Sequence, residues 1–365
     1  MAKKVIISGG GTGGHIFPAI AIANALLRLD PATEILFVGA NGKMEMEKVP
    51  AAGYQIEGLD IVGINRQQLW KNITLPYKLW RSMRQARAII KKFNPDVAVG
   101  VGGFASGPLL MVANRLGIPT LLQEQNSYAG VTNKNLSRKA AKICVAFEGM
   151  DRFFPGDKIL LTGNPIRRAS VDIEGKREEA LHAFGLESTK RTILITGGSL
   201  GAGTLNTCVK NGLDFLVSND VQVIWQCGGY YHAKLEDELG TILPSSIKLT
   251  AFLQRMDYAY AAADCIIARA GAGTISELCV VGKPVILVPS PNVAEDHQTK
   301  NALALVNKNA AILIRDSEAT DTLIKSAVQL LKDDKRREEL SVNIKKLALL
   351  DADEVIAKHI VELAK

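Results

Sequence analysis

The sequence predicts an α/β chain of two doubly wound parallel-sheet domains, and three observations carry that reading. Short continuous apolar runs alternate with amphipathic helical patterns along the 365 residues, the signature of parallel strands covered on both faces. Four of these runs end in glycine-rich turns, at 9–14, 100–107, 197–201 and 271–273. The two halves also open alike, each with a strand, a glycine turn and a helix, at residues 5–14 and again at 193–201.

In the first half, strands are expected at 5–8, 35–38, 97–101, 120–122 and 143–146. In the second they are expected at 192–196, 221–226, 247–250, 265–268, 285–288 and 311–314. The boundary is placed at Gly163-Asn164-Pro165, because Pro165 pushes Asn164 out of helical geometry, as suits a linker. This divides the chain into domains 1–163 and 164–350. A last helix over 351–365 starts at Asp351, with Glu354 three positions on as a capping box. Asp351-Ala-Asp353 matches the DxD of metal-dependent sugar transferases in form, but its place at a helix start marks it as a cap.

Composition excludes several classes. At 47% hydrophobic and 22% charged the chain can bury two cores and is not disordered. Its five cysteines are odd in number and scattered, with no CxxC, which argues for a reducing compartment and against a zinc cluster. Lys3-Lys4 is followed by only three apolar residues before Ser8, too few for an export signal. The uncharged stretch 97–114 is broken by glycines and Pro108, so membrane contact is expected to be peripheral.

Glycine turns after strands let a ligand approach the backbone closely, and the following helix offers unpaired N–H groups to phosphate. Gly9, Gly11 and Gly14 formally spell a dinucleotide fingerprint, but the second strand runs into Ala40-Asn41-Gly42, without the carboxylate that would hold a ribose. An NAD(P) oxidoreductase is therefore disfavoured. Gly42-Lys43 and Gly282-Lys283 continue into Met44 and Pro284, so no Walker sequence exists.

His15 opens the helix after the first turn, where it is either a base working near neutral pH or a capping histidine. Glu124 and Asn126 follow the strand at 120–122, either facing a ligand at the sheet edge or forming a turn. Arg167 either faces a diphosphate or is solvated. Glu277, in the helix opened by Ala272, Gly273, Thr274, Ile275 and Ser276, can accept two ribose hydroxyls or serve as an acid at a helix N-terminus.

The net charge of +7 has one origin: between Asp60 and Asp96 there is no acid, against Arg66, Lys71, Lys78, Arg81, Arg84, Arg87, Lys91 and Lys92. Thr74 and Pro76 mark a helix start there, with Tyr77 and Trp80 beyond it, and Trp70 and Ile73 join them at helical spacing if the pattern continues upstream. Aromatics at headgroup depth beside Lys78, Arg81 and Arg84 fit docking on an anionic leaflet; the plainer alternative packs the rings inward. Nucleic acid is not expected, since it explains none of the glycine turns.

Together the motifs resemble the lipid-linked N-acetylglucosaminyltransferase family of peptidoglycan synthesis. They are GGGTGGHIFPA from Gly9, GVGGFASGP from Gly100, QEQNSYAGVTNK from Gln123, GNPIR from Gly163, GGSLGAGTLN from Gly197, RAGAGTISE from Arg269 and EDHQTKNA from Glu295. The resemblance implies a GT-B glycosyltransferase fold, two Rossmann-like domains facing a cleft, with the last helix crossing back to the first domain. It implies transfer of N-acetylglucosamine from UDP to an undecaprenyl-diphosphate-linked muramyl-peptide, with inversion. The work is expected on the cytoplasmic face of the cell membrane, without cofactor or metal, and leaves room for cell-wall or division proteins as partners. Carried over position by position, the donor site comprises Thr12, Gly13, Gly14, Asn126, Arg167, Ser199, Leu253, Ala272, Gly273, Thr274, Ile275, Ser276, Glu277 and Gln298. The acceptor diphosphate falls to Gly11, Gly102, Gly103, Ser106 and Gly107. His15 is the first choice of base and Glu124 the second. Gln123 stands where many members carry a histidine.

Overall fold

The computed structural model describes residues 2–61, 63, 75–198 and 200–364. They form two units, Met1–Ile166 with Leu350–Lys365, and Arg167–Leu349.

The first unit holds β1 (Lys4–Gly9), β2 (Glu34–Ala40), β3 (Gln55–Leu59), β4 (Val97–Gly102), β5 (Thr120–Glu124), β6 (Lys142–Val145) and β7 (Ile159–Leu161). They lie in the order β3-β2-β1-β4-β5-β6-β7, each neighbouring pair parallel. β3 and β7 were not expected. Both are edge strands with little full burial, and the mixed sequence of β3 (QIEGL) shows none of the continuous apolar run that marks an inner strand.

Apolar side chains cover both faces of this sheet. One face packs against the helix Leu75–Phe93 through Leu79, Met83, Ala86 and Ile90, at helical spacing. The other packs against the helix Gly13–Leu29 and against Ile356, Ala357 and Ile360 of the last helix, Ala352–Leu363. Arg28 pairs with Asp353 at 2.5 Å, and Lys3 Nζ donates to the Val361 carbonyl at 2.9 Å. The expected capping box does not form. Asp351 takes the N-cap position at φ −97° and ψ 24°, outside the extended geometry a capping side chain needs, and makes no side-chain cap bond.

The second unit holds β8 (Arg191–Thr196), β9 (Val221–Gln226), β10 (Ile247–Thr250), β11 (Cys265–Ala268), β12 (Val285–Leu287) and β13 (Ile312–Leu313). Their order is β10-β9-β8-β11-β12-β13, again all parallel. In both units the first strand lies beside the fourth, and the strand order reverses there. Such a switch point leaves a crevice at the strands' carboxyl ends, where open α/β sheets take their ligands.

Candidate active site

All four glycine turns fall at these two switch points: those after β1 and β4 in the first unit, and those after β8 and β11 in the second. Chain topology therefore turns four separate sequence motifs into two pairs.

In the first unit the paired turns touch. The Gly10 N–H donates to the Gly102 carbonyl at 3.2 Å. Gly103, at φ 93°, packs so closely that a Cβ there would lie 2.4 Å from the Gly10 carbonyl oxygen. Thr12, extended at φ −148°, precedes the helix Gly13–Leu29, whose first turn carries Gly13, Gly14 and His15 and no acidic residue. Such an N-terminus keeps the partial positive charge that favours a phosphate.

Two residues expected at the acceptor diphosphate, Gly11 and Ser106, have internal partners. The Gly11 N–H donates to Glu45 Oε2 at 2.8 Å. Ser106 is buried, and its hydroxyl faces the carbonyls of Gly102 at 2.7 Å and Ser8 at 3.1 Å, tying β4 to β1. Gly107 follows Ser106 at the start of the helix Ser106–Arg115.

No motif in the sequence marks Glu45 as the carboxylate of this turn. It lies five residues beyond Ala40, is 1% exposed, and accepts the N–H groups of Gly11 and, at 3.0 Å, Ala40. A Cβ on Gly10 would meet its Oε1 at 2.2 Å. The group braces the glycine turn from within.

His15 is half-buried, its ring against Gly102 and its Nδ1 2.9 Å from Gln125 Oε1. Glu124 is only 2% exposed. One of its oxygens meets the Asn126 N–H at 3.2 Å and its side-chain amide at 3.4 Å; the other meets the Gly130 N–H at 3.0 Å and Asn133 Nδ2 at 2.9 Å. With its acceptor positions engaged, it organises the 124–133 turn, which argues against it as a base. Asn164, expected in a linker, is buried and bonded to Gln123 at 2.9 Å and to the Gln125 carbonyl at 3.0 Å.

In the second unit, Gly271 caps the helix Ala272–Val281, which carries Ala272, Gly273, Thr274, Ile275, Ser276 and Glu277. Tyr260 is buried and its hydroxyl donates to Glu277 Oε2 at 3.0 Å. Burial raises the Glu277 carboxyl above its ordinary range, while the Tyr260 bond and the Arg167 charge pull it back. Gln298 Oε1 accepts the N–H groups of Ala270 at 3.2 Å and Ser290 at 2.9 Å, joining the ends of β11 and β12. Leu253 lines a cavity of about 420 Å³ with Phe184, Lys248, Thr250, Phe252 and Arg255. In the turn after β8, the Gly198 N–H donates to Thr196 Oγ1 at 3.2 Å; Ser199 lies outside the described residues.

On the basic helix Leu75–Phe93, Tyr77 (61% exposed) and Trp80 (53% exposed) project outward with rings stacked at 6.1 Å. The inward-packing alternative is thus overturned for these two; Trp70 and Ile73 lie outside the described residues. The Arg84 guanidinium covers the Trp80 ring at 4.9 Å and Lys78 is half-buried. Arg81 is paired with Asp60 at 2.8 Å, so its charge is largely offset. Among the described residues no helix is long and apolar enough to cross a membrane, and no group of three metal-ligating side chains assembles. All five cysteines are buried and free.

Two Rossmann-like units, each with paired glycine turns at its switch point, make up the GT-B fold. Comparison with known proteins agrees. The N-terminal domain model of glycosyltransferase family 28 matches residues 5–145 and the C-terminal domain model matches 192–356. A protein of Phocaeicola vulgatus, named UDP-N-acetylglucosamine--N-acetylmuramyl-(pentapeptide) pyrophosphoryl-undecaprenol N-acetylglucosamine transferase, is 57% identical over 99% of this chain and 96% of its own. The crystal structure of Acinetobacter baumannii MurG superposes with a TM-score of 0.81 at 29% identity, covering 99% of each chain. The kitacinnamycin glycosyltransferase, at 15% identity and a TM-score of 0.74 over the full length of both chains, shares the fold. The chain belongs to glycosyltransferase family 28.

Proposed function

We propose that this protein transfers N-acetylglucosamine from UDP-N-acetylglucosamine to the 4-hydroxyl of the muramyl sugar in an undecaprenyl-diphosphate-linked muramyl-pentapeptide, with inversion. The observation that carries the reading is the pairing of glycine turns at two switch points, one pair per unit, which suits a reaction between two diphosphate-bearing substrates. The relative from Phocaeicola vulgatus is named for this transfer.

The second unit takes the donor. Glu277 accepts the ribose hydroxyls, and the helix opening at Ala272 faces the diphosphate. Leu253, Gln298 and Arg167 belong to the same unit and to the same donor set; the family resemblance also assigns donor binding to Ser199 and, in the first unit, to Thr12, Gly13, Gly14 and Asn126. The acceptor diphosphate lies against Gly102, Gly103 and Gly107. His15 takes the proton of the acceptor hydroxyl as its oxygen bonds to the anomeric carbon. The bond from that carbon to UDP breaks, and UDP leaves with the electron pair. Oriented N–H groups and Arg167 stabilise the charge on departing UDP. The outward Tyr77, Trp80 and Arg84 seat the first unit on an anionic membrane leaflet at the cytoplasmic face.

The test is UDP release with the lipid-linked muramyl-peptide as acceptor. His15→Ala is expected to lower turnover by roughly 10²–10⁴ with the donor KM little changed, and added EDTA is expected to leave wild-type turnover intact. Near-normal turnover in His15→Ala removes the assignment of the base. A preference for another UDP-sugar removes the substrate.

A further inference from the structure

We propose that a buried amide relay running from Asn164 through Gln123 to Gln125 fixes the tautomer of His15, placing the imidazole proton on Nδ1 and the basic lone pair on Nε2. The inference rests on the reading of His15 as the base, and names the side chains that set which nitrogen does the work.

The relay is oriented by backbone carbonyls at its ends. Asn164 Nδ2 donates to the Gln125 carbonyl at 3.0 Å, which turns Asn164 Oδ1 toward Gln123. Gln123 Nε2 donates to that oxygen at 2.9 Å, which turns Gln123 Oε1 toward Gln125. Gln125 Nε2 donates to Gln123 Oε1 and, at 2.8 Å, to the Val101 carbonyl. Both of its N–H groups are therefore taken by oxygens, and Oε1 is left facing His15 Nδ1 at 2.9 Å. An amide oxygen only accepts, so Nδ1 must be the donor.

Reversing any one amide would set oxygen against oxygen. Flipping Gln125 alone would bring its Oε1 against the Val101 carbonyl and Gln123 Oε1. All three amide residues are buried, so water cannot easily repair the mismatch. The network also explains why Asn164 lies inside the first unit and not in an open linker. Gln123, Gln125 and Asn164 are positioning residues, acting through His15.

The test combines ¹⁵N NMR of the His15 ring, assigned by its loss in His15→Ala, with steady-state kinetics. Wild type is expected to show the Nδ1–H tautomer. Gln125→Met, which keeps the shape and removes the acceptor, is expected to populate both tautomers and to lower kcat about tenfold or more. Its KM for UDP-N-acetylglucosamine should stay within about twofold, since the donor site is untouched. Gln123→Leu breaks the relay one step away, with a smaller change of the same kind. Gln123→His is expected to restore what Gln123→Leu loses, because an imidazole also offers one donor and one acceptor. That rescue keeps the test usable if Gln125→Met folds poorly.

An Nε2–H tautomer in wild type, or a tautomer unchanged in Gln125→Met and Gln123→Leu, overturns the relay. Normal turnover in His15→Ala instead overturns the base, and is read separately from the NMR result.

Discussion

The buried phenol of Tyr260 donates a 3.0 Å hydrogen bond to Oε2 of Glu277, across the packing of two neighbouring helices in the second unit. A carboxyl that desolvation pushes toward its neutral form is thereby held nearer the charged form, with help from Arg167. Only the charged form offers both oxygens to a ribose diol. Tyr260→Phe is therefore expected to raise the KM for UDP-N-acetylglucosamine roughly 5- to 20-fold, equivalent to about 1–2 kcal/mol, with kcat changed far less.

The sign of the accompanying pH effect follows from the same bond. The phenol lowers the Glu277 pKa, so its removal raises that pKa further. Glu277 then protonates at higher pH, and donor binding weakens earlier as the pH falls. The acid limb of kcat/KM for the donor is expected to move upward in Tyr260→Phe. An unmoved limb with an unchanged KM would place Glu277 away from the donor.

Glu45 makes a prediction about stability. Its carboxylate satisfies the N–H groups of Gly11 and Ala40 from a buried position. Glu45→Ala strips both of their acceptor, at a cost of about 2–4 kcal/mol, since an unmet buried polar group costs roughly 1–3 kcal/mol. Glu45→Gln keeps one acceptor oxygen and is expected to lose about half as much. Urea unfolding monitored by circular dichroism checks both, and equal stability of Glu45→Ala and wild type would contradict the bracing role.

The outward aromatic pair makes a prediction about lipid. Trp80→Ala combined with Arg84→Ala is expected to weaken binding to anionic vesicles about tenfold, given roughly 1 kcal/mol for each basic residue at such a surface plus the lost ring. Sedimentation with anionic and with zwitterionic vesicles at two salt concentrations reads this. Stability should barely change, because both side chains project away from the core. Undiminished binding to anionic vesicles would move the docking surface elsewhere.

Much of the fold was legible because inner parallel strands are buried on both faces and so must be apolar throughout. The runs containing Ile6, Val99, Ile193 and Ile266 stand out for that reason, and the glycine turns after them mark where a strand gives way to a helix. The edge strand Gln55–Leu59 carries no such constraint and its mixed sequence left no mark, while Ile159–Leu161 is an apolar run too short to stand out. In the basic helix, spacing placed Tyr77 and Trp80 together, but their direction was set by Leu79, Met83, Ala86 and Ile90 claiming the core face.

By itself the sequence determined the alternation of strands and helices, the glycine turns, the family and the charge concentrated in one segment, because each is a property of local composition and spacing. Tertiary structure alone decided which side chains meet. Glu45 reaches Gly11 across 34 positions, and Gln123 reaches Asn164 across 41. Hydrogen bonds of that kind depend on where strand order and helix packing bring distant segments, and no local pattern encodes them. The same contacts assigned Gly11, Ser106 and Glu124 to internal partners, since a polar group buried by folding must find its bonds inside the protein.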